Sequence, residues 1–207
     1  LDVALSEEHN DHLAVGAQHS LWDGFLLYWI GWMRDNMPGI AVTASSVMSS
    51  TFLDAISEGT LDIAIVYRPT QRTGLVIEHL FEEELVLLTS GDAAAPAPGN
   101  NYILINWGPE FLADHALAYS GLKQPGLFFD LGTLAVNYLL DKKASGYFPI
   151  RTARNFIKDG TLKLIKNAPR FVYPVYLVYP EDIDEVAFSQ AKLGLIETLK
   201  TIETKAT

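Results

Sequence analysis

Glu58 to Ser90, EGTLDIAIVYRPTQRTGLVIEHLFEEELVLLTS, is the stretch whose reading decides the fold. Gly59 stands where a helix closing at Glu58 needs a left-handed residue. Leu61 to Tyr67 follows as an almost unbroken apolar run of seven residues, dominated by aliphatics, which is the pattern of a central strand buried on both faces. Arg68, Pro69 and Thr70 supply turn chemistry, Gly74 to Phe81 forms a second strand, and Glu82 to Glu84 precede a third at Leu85 to Thr89. Beyond Ser90 the composition changes abruptly, so this stretch leads out of one lobe and places a cleft near the middle of the molecule.

Toward the N-terminus, His12 to Gly16 is a short strand, Ser20 is a good helix N-cap, and Leu21 to Met37 is a helix closed by Pro38-Gly39. Ile40 to Ala44 is the next strand. A Ser-rich connection then enters a second helix carrying Phe52, Leu53 and Ile56. Strand, helix, strand, helix, strand is the order that gives a parallel sheet with right-handed crossovers and helices on both faces.

Toward the C-terminus, Gly91 to Asn101 (GDAAAPAPGNN) has the Ala, Pro and Gly content of a linker, after which the same order starts again. Tyr102 to Ile105 is a strand, Gly108-Pro109 opens a helix through Tyr119, and Gly126 to Phe129 is a strand. Leu131 to Lys142 is a helix and Gly146 to Ile150 a short strand. Phe171 to Tyr179 is one more strong strand, and the helix from Ile183 to Lys205 returns to the first lobe. The fold class expected is α/β: two similar Rossmann-like lobes joined by a two-strand hinge. Lobe I takes residues 12–88 and 176–207, and lobe II takes residues 89–175. A ligand-sized groove belongs between them.

Composition narrows the function. With 207 residues, 49% of them hydrophobic and 11% aromatic, the chain has ample material for a packed core. A formal charge of −10 and a pI near 4.8 argue against this segment gripping a phosphate backbone by itself. Without Cys, no disulfide framework or thiolate metal site forms. No apolar run is long enough to span a bilayer and no secretory leader is visible, so no membrane partner is expected.

Enzyme signatures are missing: there is no Gly-x-Ser-x-Gly elbow, no phosphate-binding Gly-rich loop and no His-Glu-x-x-His helix. Asp114-His115 has no nucleophile beside it in the sequence. His9 and His12, with Glu7, Glu8 and Asp11, have metal-ligand spacing but lie in an acidic end segment that reads as a solvated charge run. No cofactor and no metal is expected.

Several segments together resemble the effector-binding domain of LysR-type transcriptional regulators, which shares its fold with type 2 periplasmic binding proteins. They are LAVGAQHSLWDGFLLYWIGWMRDNMPGIAV at Leu13 to Val42, SEGTLDIAIVYRP at Ser57 to Pro69, GLVIEHLFEEELVLLTS at Gly74 to Ser90, INWGPEF at Ile105 to Phe111 and SGYFP at Ser145 to Pro149. The resemblance implies a cytoplasmic sensor whose small-molecule effector occupies the interlobe cleft. It also implies a winged helix-turn-helix upstream that contacts DNA, with residues 1–11 as the end of a linker helix.

Candidate effector contacts follow from both arguments. Ser20, after the first strand, offers a hydroxyl beside backbone N–H groups, and it equally suits a plain N-cap. Ser45, Ser46 and Ser49 crowd the loop after the second strand, where capping explains one hydroxyl but not all. Arg68 follows the central strand at its carboxyl end, as a counter-ion to a carboxylate or as a surface residue paired with an acid. Asn106, Trp107 and Gly108 hold the matching place in lobe II, and the resemblance implies that this loop faces the effector. Trp107 equally suits hinge packing. Phe128, Phe129 and Asp130 finish the second-lobe strand, and with Tyr147 and Phe148 the aromatic residues there offer walls for a ring-bearing effector or core. Such loops suit small organic acids, phenols or amino acids.

The first helix is apolar nearly all round: Leu21, Trp22, Phe25, Leu26, Leu27, Tyr28, Trp29, Ile30, Trp32 and Met33. One sheet cannot bury such a helix, so a second side must be covered. The resemblance implies a homodimer through this helix against a partner's second lobe, and a tetramer in the full-length protein. The alternative reading, an extracytoplasmic solute-binding protein, uses the same fold to deliver a ligand to a transporter.

Overall fold

The computed structural model describes residues 11–47, 51–92, 99–122, 126–183 and 185–204. Residues 1–10, Ser49 and residues 93–98 of the linker-like stretch lie outside them. Two compact units form, unit 1 from residues 1–82 and 174–207 and unit 2 from residues 83–173. Residues 83–88, assigned above to lobe I, belong to unit 2 because their strand pairs there, and residues 174–175 belong to unit 1.

Unit 1 opens with β1 (Asp11–Ala17), α1 (His19–Leu21), α2 (Leu27–Asn36), β2 (Ile40–Ser46), α3 (Phe52–Ser57) and β3 (Ile63–Tyr67). β4 (Leu75–Thr89) begins in it. β1 pairs in parallel with β2 on one side and β3 on the other, as the alternation of strand and helix requires. α3 stops where expected, with Gly59 at φ +70. The two strands expected at Gly74 to Phe81 and Leu85 to Thr89 are one strand of fifteen residues, because Glu82 to Glu84 continue the pleat.

Period-two alternation puts unit 1's sheet between two layers. Leu13, Val15, Ala17, Ile63 and Ile65 face a core completed by Phe25, Leu26, Trp29 and Met33. Ala14, Ala64 and Val66 face the opposite core with Phe52 and Ile56 of α3. Gly16 is required where β1 runs beneath other side chains, since a Cβ there would meet Leu61 Cδ1 at 2.6 Å and Val47 Cγ1 at 2.8 Å.

The first helix departs from expectation twice. It is not continuous from Leu21 to Met37: Asp23 takes ψ 132 and Gly24 takes φ +72, which divides α1 from α2. A glycine tolerates that left-handed turn, and an Asp before it does not resist leaving the helix. Second, the same chain covers the helix's other side. α7 (Glu185–Thr204) lies against α2, accepts the Trp29 indole N–H at the Ala191 carbonyl (2.9 Å), and sets Gly194 against the Trp32 ring, where any Cβ would overlap it. Leu27 and Tyr28 remain, each 61% exposed.

Unit 2 repeats the plan with β5 (Ile103–Ile105), α4 (Pro109–Ala118), β6 (Leu127–Phe129), α5 (Ala135–Lys142), β7 (Ser145–Pro149), α6 (Ile150–Lys158) and β8 (Lys163–Leu164). The sequence reading did not foresee α6 or β8. β5 pairs in parallel with β6, and a parallel bridge from Tyr102 to Ser145 sets β5 beside β7. β7 then pairs antiparallel with the second half of β4. Unit 1 has the same order, with β3 antiparallel to β9 (Phe171–Pro180). Each unit thus runs second strand, first strand, third strand and then an antiparallel strand, which is β9 in unit 1 and β4 in unit 2.

Unit 2 also contains a buried aromatic cluster. His115 lies among Tyr102, Phe111, Tyr119, Tyr147 and Phe171, with ring centroids 5.0 to 6.3 Å away. Its Nε2 shares a 2.8 Å hydrogen bond with the Tyr102 hydroxyl, and the Tyr147 hydroxyl joins Tyr119 (2.6 Å) and the Pro169 carbonyl (2.9 Å). Burial pushes the His115 pKa down and the Tyr102 and Tyr147 hydroxyls up, so all three are neutral in the fold at neutral pH.

Where β4 enters unit 2, the Glu83 side chain is 2% exposed and receives the Arg151 Nε–H at 2.6 Å from a side chain 4% exposed. Removing one member of such a pair strands the other charge in a low-dielectric site. Glu83→Gln is therefore expected to cost about 3–5 kcal/mol in equilibrium denaturation. The double variant Glu83→Gln, Arg151→Met should recover a substantial part of that loss, and additive losses would remove the pairing argument.

Candidate functional site

In unit 1 the parallel registers set Ala17 opposite both Ser46 of β2 and Ile65 of β3, so the loops leaving all three strands meet at one carboxyl edge of the sheet. This is the edge at which parallel sheets receive ligands. Ser20, Ser45, Ser46 and Arg68 all stand there or one turn away. The N-cap is Gln18, not Ser20: His19 already has helical geometry, and the Gln18 carbonyl accepts Leu21 N–H at 2.9 Å. Ser20 sits inside the first turn, 8% exposed, with its hydroxyl 3.0 Å from that of Tyr67.

Gln18 and Tyr67 went unnoticed in the sequence. Gln18 links two strands, donating its N–H to the Ile65 carbonyl (3.2 Å) and accepting the Tyr67 N–H at Oε1 (2.7 Å). A Tyr closing an otherwise aliphatic strand was the available signal, because a hydroxyl at a buried strand end needs a partner. Gln18 carried no such signal.

The Ser45 hydroxyl donates to the Val15 carbonyl at 3.3 Å, which commits it to the β1–β2 edge, whereas Ser46 is exposed. Arg68 is exposed and takes φ +41, a left-handed conformation uncommon outside glycine, which turns the chain sharply at the end of β3. His12 is engaged by β2, its Nε2 2.8 Å from Thr43 Oγ1. His9, Glu7 and Glu8 fall outside the described residues.

In unit 2 the Asn106–Gly108 loop is built by its own side chains. Asn106 N–H donates to the Phe129 carbonyl (2.8 Å), Nδ2 reaches Asp130 Oδ1 (3.2 Å), and Oδ1 accepts the Gly108 N–H (3.1 Å). Gly108 takes φ +112, which a residue with a Cβ resists, and hands over to Pro109 at the first turn of α4. The Trp107 indole N–H donates to the Tyr147 carbonyl at 2.8 Å, and its ring meets Phe148 edge-on at 5.8 Å. Trp107 is thus anchored to β7 and presents its shape more than its donor.

Of the aromatic walls considered, Tyr147 and Phe148 are core, Phe129 packs on Tyr138 at 5.1 Å, and Phe128 is exposed. Asp114 accepts the Tyr173 hydroxyl at 3.0 Å, and His115 belongs to the buried cluster, so both serve unit 2's packing. Among the described residues no group of three or more His, Cys, Asp or Glu is placed to hold a metal ion. No helix among them is long and apolar enough to cross a membrane.

Known proteins place this architecture. The family model described as the LysR substrate binding domain matches residues 6–191. The HTH-type transcriptional regulator HdfR of Escherichia coli O45:K1 is 25% identical over 190 residues, which cover 90% of this chain and 66% of that protein, so the chain spans just under two thirds of these relatives. Among solved structures, the regulatory domain of HypT from Salmonella typhimurium in its apo form superposes with a TM-score of 0.74 at 15% identity, covering 94% of this chain and 97% of that one. The effector domain of AmpR from Pseudomonas aeruginosa gives 0.66 at 18% identity, covering 95% and 99%. These structures share the two-lobe fold of type 2 periplasmic binding proteins. The chain belongs to the LysR substrate-binding-domain family, the effector-sensing domains of transcriptional regulators.

Proposed function

We propose that this chain senses a small organic acid for a cytoplasmic LysR-type regulator and catalyses nothing. The family match over residues 6–191 carries this reading. Its supporting geometry is the polar carboxyl edge of β1, β2 and β3, with Ser46 exposed and Arg68 turned out at the end of β3. Ser20, Ser46, Arg68 and the Asn106–Gly108 loop are the proposed effector contacts, and Ser45 is a lesser one because Val15 already accepts its hydroxyl.

The effector acts through differential affinity: it shifts the regulator only insofar as it binds one arrangement of the protein more tightly than another. DNA contact falls to a winged helix-turn-helix in the rest of the protein, in keeping with the chain's charge of −10.

Homodimerisation through the first helix, and a tetramer for the whole regulator, are part of the same proposal. Leu27 and Tyr28 stay exposed on α2 after α7 has covered its other side, and β2 is an outer strand of its sheet. Unit 2 exposes Leu127, Phe128, Leu131 and Leu134, an apolar surface of the kind such a helix requires.

Two measurements test these proposals. A thermal-shift screen of small organic acids should find a ligand that stabilises the chain by about 2.7 kcal/mol at a hundredfold excess over its dissociation constant. Ser46→Ala should then weaken binding by about 0.5–1.5 kcal/mol. Unchanged affinity would remove Ser46 from the site, and turnover of the ligand would contradict a purely sensory role. In light scattering at micromolar concentration the chain should have a dimer's mass and Tyr28→Glu a monomer's. A monomeric mass for the unsubstituted chain would refute the dimer.

A further inference from the structure

His115 is the one histidine of unit 2, since the others stand at positions 9, 12, 19 and 79. It lies on α4, 4% exposed. Among the described residues each element packed on its ring presents another ring and no carboxylate. Tyr102 comes from just before β5, Tyr147 from β7, Phe171 from β9, and Phe111 and Tyr119 from its own helix.

The charged groups on these elements are engaged elsewhere. Asp114 accepts the Tyr173 hydroxyl at 3.0 Å, Arg170 pairs with Glu84 at 2.7 Å, and Glu110 is exposed beside Gly108. An imidazolium at position 115 therefore meets no counter-ion. It also upsets the hydrogen bond to Tyr102: a neutral ring can accept that O–H at Nε2 (2.8 Å), whereas a protonated ring donates at both nitrogens and obliges the buried hydroxyl to turn away.

Two short paths lead from this cluster to the Asn106–Gly108 loop. α4 begins at Pro109, directly after Gly108, and the Gly108 carbonyl accepts Leu112 N–H at 3.1 Å. Tyr147, whose ring meets His115 edge-on at 5.9 Å, holds the Trp107 indole N–H on its carbonyl at 2.8 Å. A proton on His115 thus disturbs both supports of the loop.

We infer that His115 is a proton-operated latch on the Asn106–Gly108 loop: neutral, it holds α4 and β7 together beneath the loop, and on taking up one proton it lets the loop go. The loop's part in effector binding rests on the function proposed above, whereas the latch is tested without a ligand. Burial holds the His115 pKa below its ordinary value of 6.5, so the opened chain takes up the proton first. The latch is fully closed above that value. It weakens as the pH falls below it, by up to about tenfold in the opening equilibrium per pH unit, until the folded ring is itself protonated.

The test is native-state hydrogen exchange of the 15N-labelled chain at about pH 7.5 and about pH 5.5, an interval above the ordinary carboxylate range, with protection corrected for intrinsic exchange. Protection of the Asn106, Gly108 and Leu112 amides should fall about tenfold at the lower pH. His115→Gln, which can accept from Tyr102 but takes no proton, should keep its protection across the interval. Should that variant not fold, His115→Phe combined with Tyr102→Phe removes both polar partners and should be equally insensitive. Equal protection at the two pH values in the unsubstituted chain, the same loss in His115→Gln, or a loss that spares Asn106, Gly108 and Leu112 would overturn the latch. None of these outcomes bears on the ligand screen, so a failed latch leaves the effector reading standing.

Discussion

β4 is the constraint on which the rest of the structure depends. Its fifteen residues serve two cores in succession, one in each unit. Leu75 and the residues after it belong to unit 1, while Val86 and Leu88 pack in unit 2 beside Ile103, Leu139 and Phe148. Because side chains alternate along a strand, one register must suit both cores. Glu83 shows how tight this constraint is. It lies on the first turn of pleat inside unit 2 and faces inward, so its charge is tolerable only with Arg151 from α6 against it.

The return strand β9 works under similar terms. Val175 and Leu177 join one core of unit 1 and Val178 the other, and α7 follows to cover α2. The chain that leaves unit 1 through β4 therefore finishes unit 1 only after unit 2 has been made. The Glu78 carboxylate accepts hydrogen bonds from the Tyr179 hydroxyl and the Lys192 ammonium, tying β4, β9 and α7 together. Those last contacts have high sequence separation and close a long loop, which raises the entropic cost of completing the unit.

Much of the fold was legible because it rests on local pattern. The aliphatic run at residues 61–67 became β3, Gly59 took the left-handed turn after α3, and Gly108-Pro109 opened α4. The readings that failed depend on contacts from distant parts of the chain. Ser20 looks like an N-cap locally, but Gln18 takes that position because its side chain reaches β3. The all-round apolar first helix called for a second covering element, and nothing local discloses that α7, more than a hundred and fifty residues later, supplies part of that cover. Three consecutive glutamates read only as preceding a strand at Leu85 to Thr89, and nothing local discloses that Glu83 is paired with Arg151. For the site, the carboxyl edge of the parallel strands was predictable from topology. Which polar side chains are already engaged was not, because Ser45, Asn106 and Trp107 bond to groups brought near only by folding.

The central claim is that this chain, which belongs to the LysR substrate-binding-domain family, binds an effector at the polar loops proposed above. Hydrogen–deuterium exchange of the chain with and without a ligand found by screening tests it most directly. The account predicts that ligand slows exchange at the proposed contact loops, residues 18–20, 45–47 or 106–108. Protection centred away from these loops would contradict it.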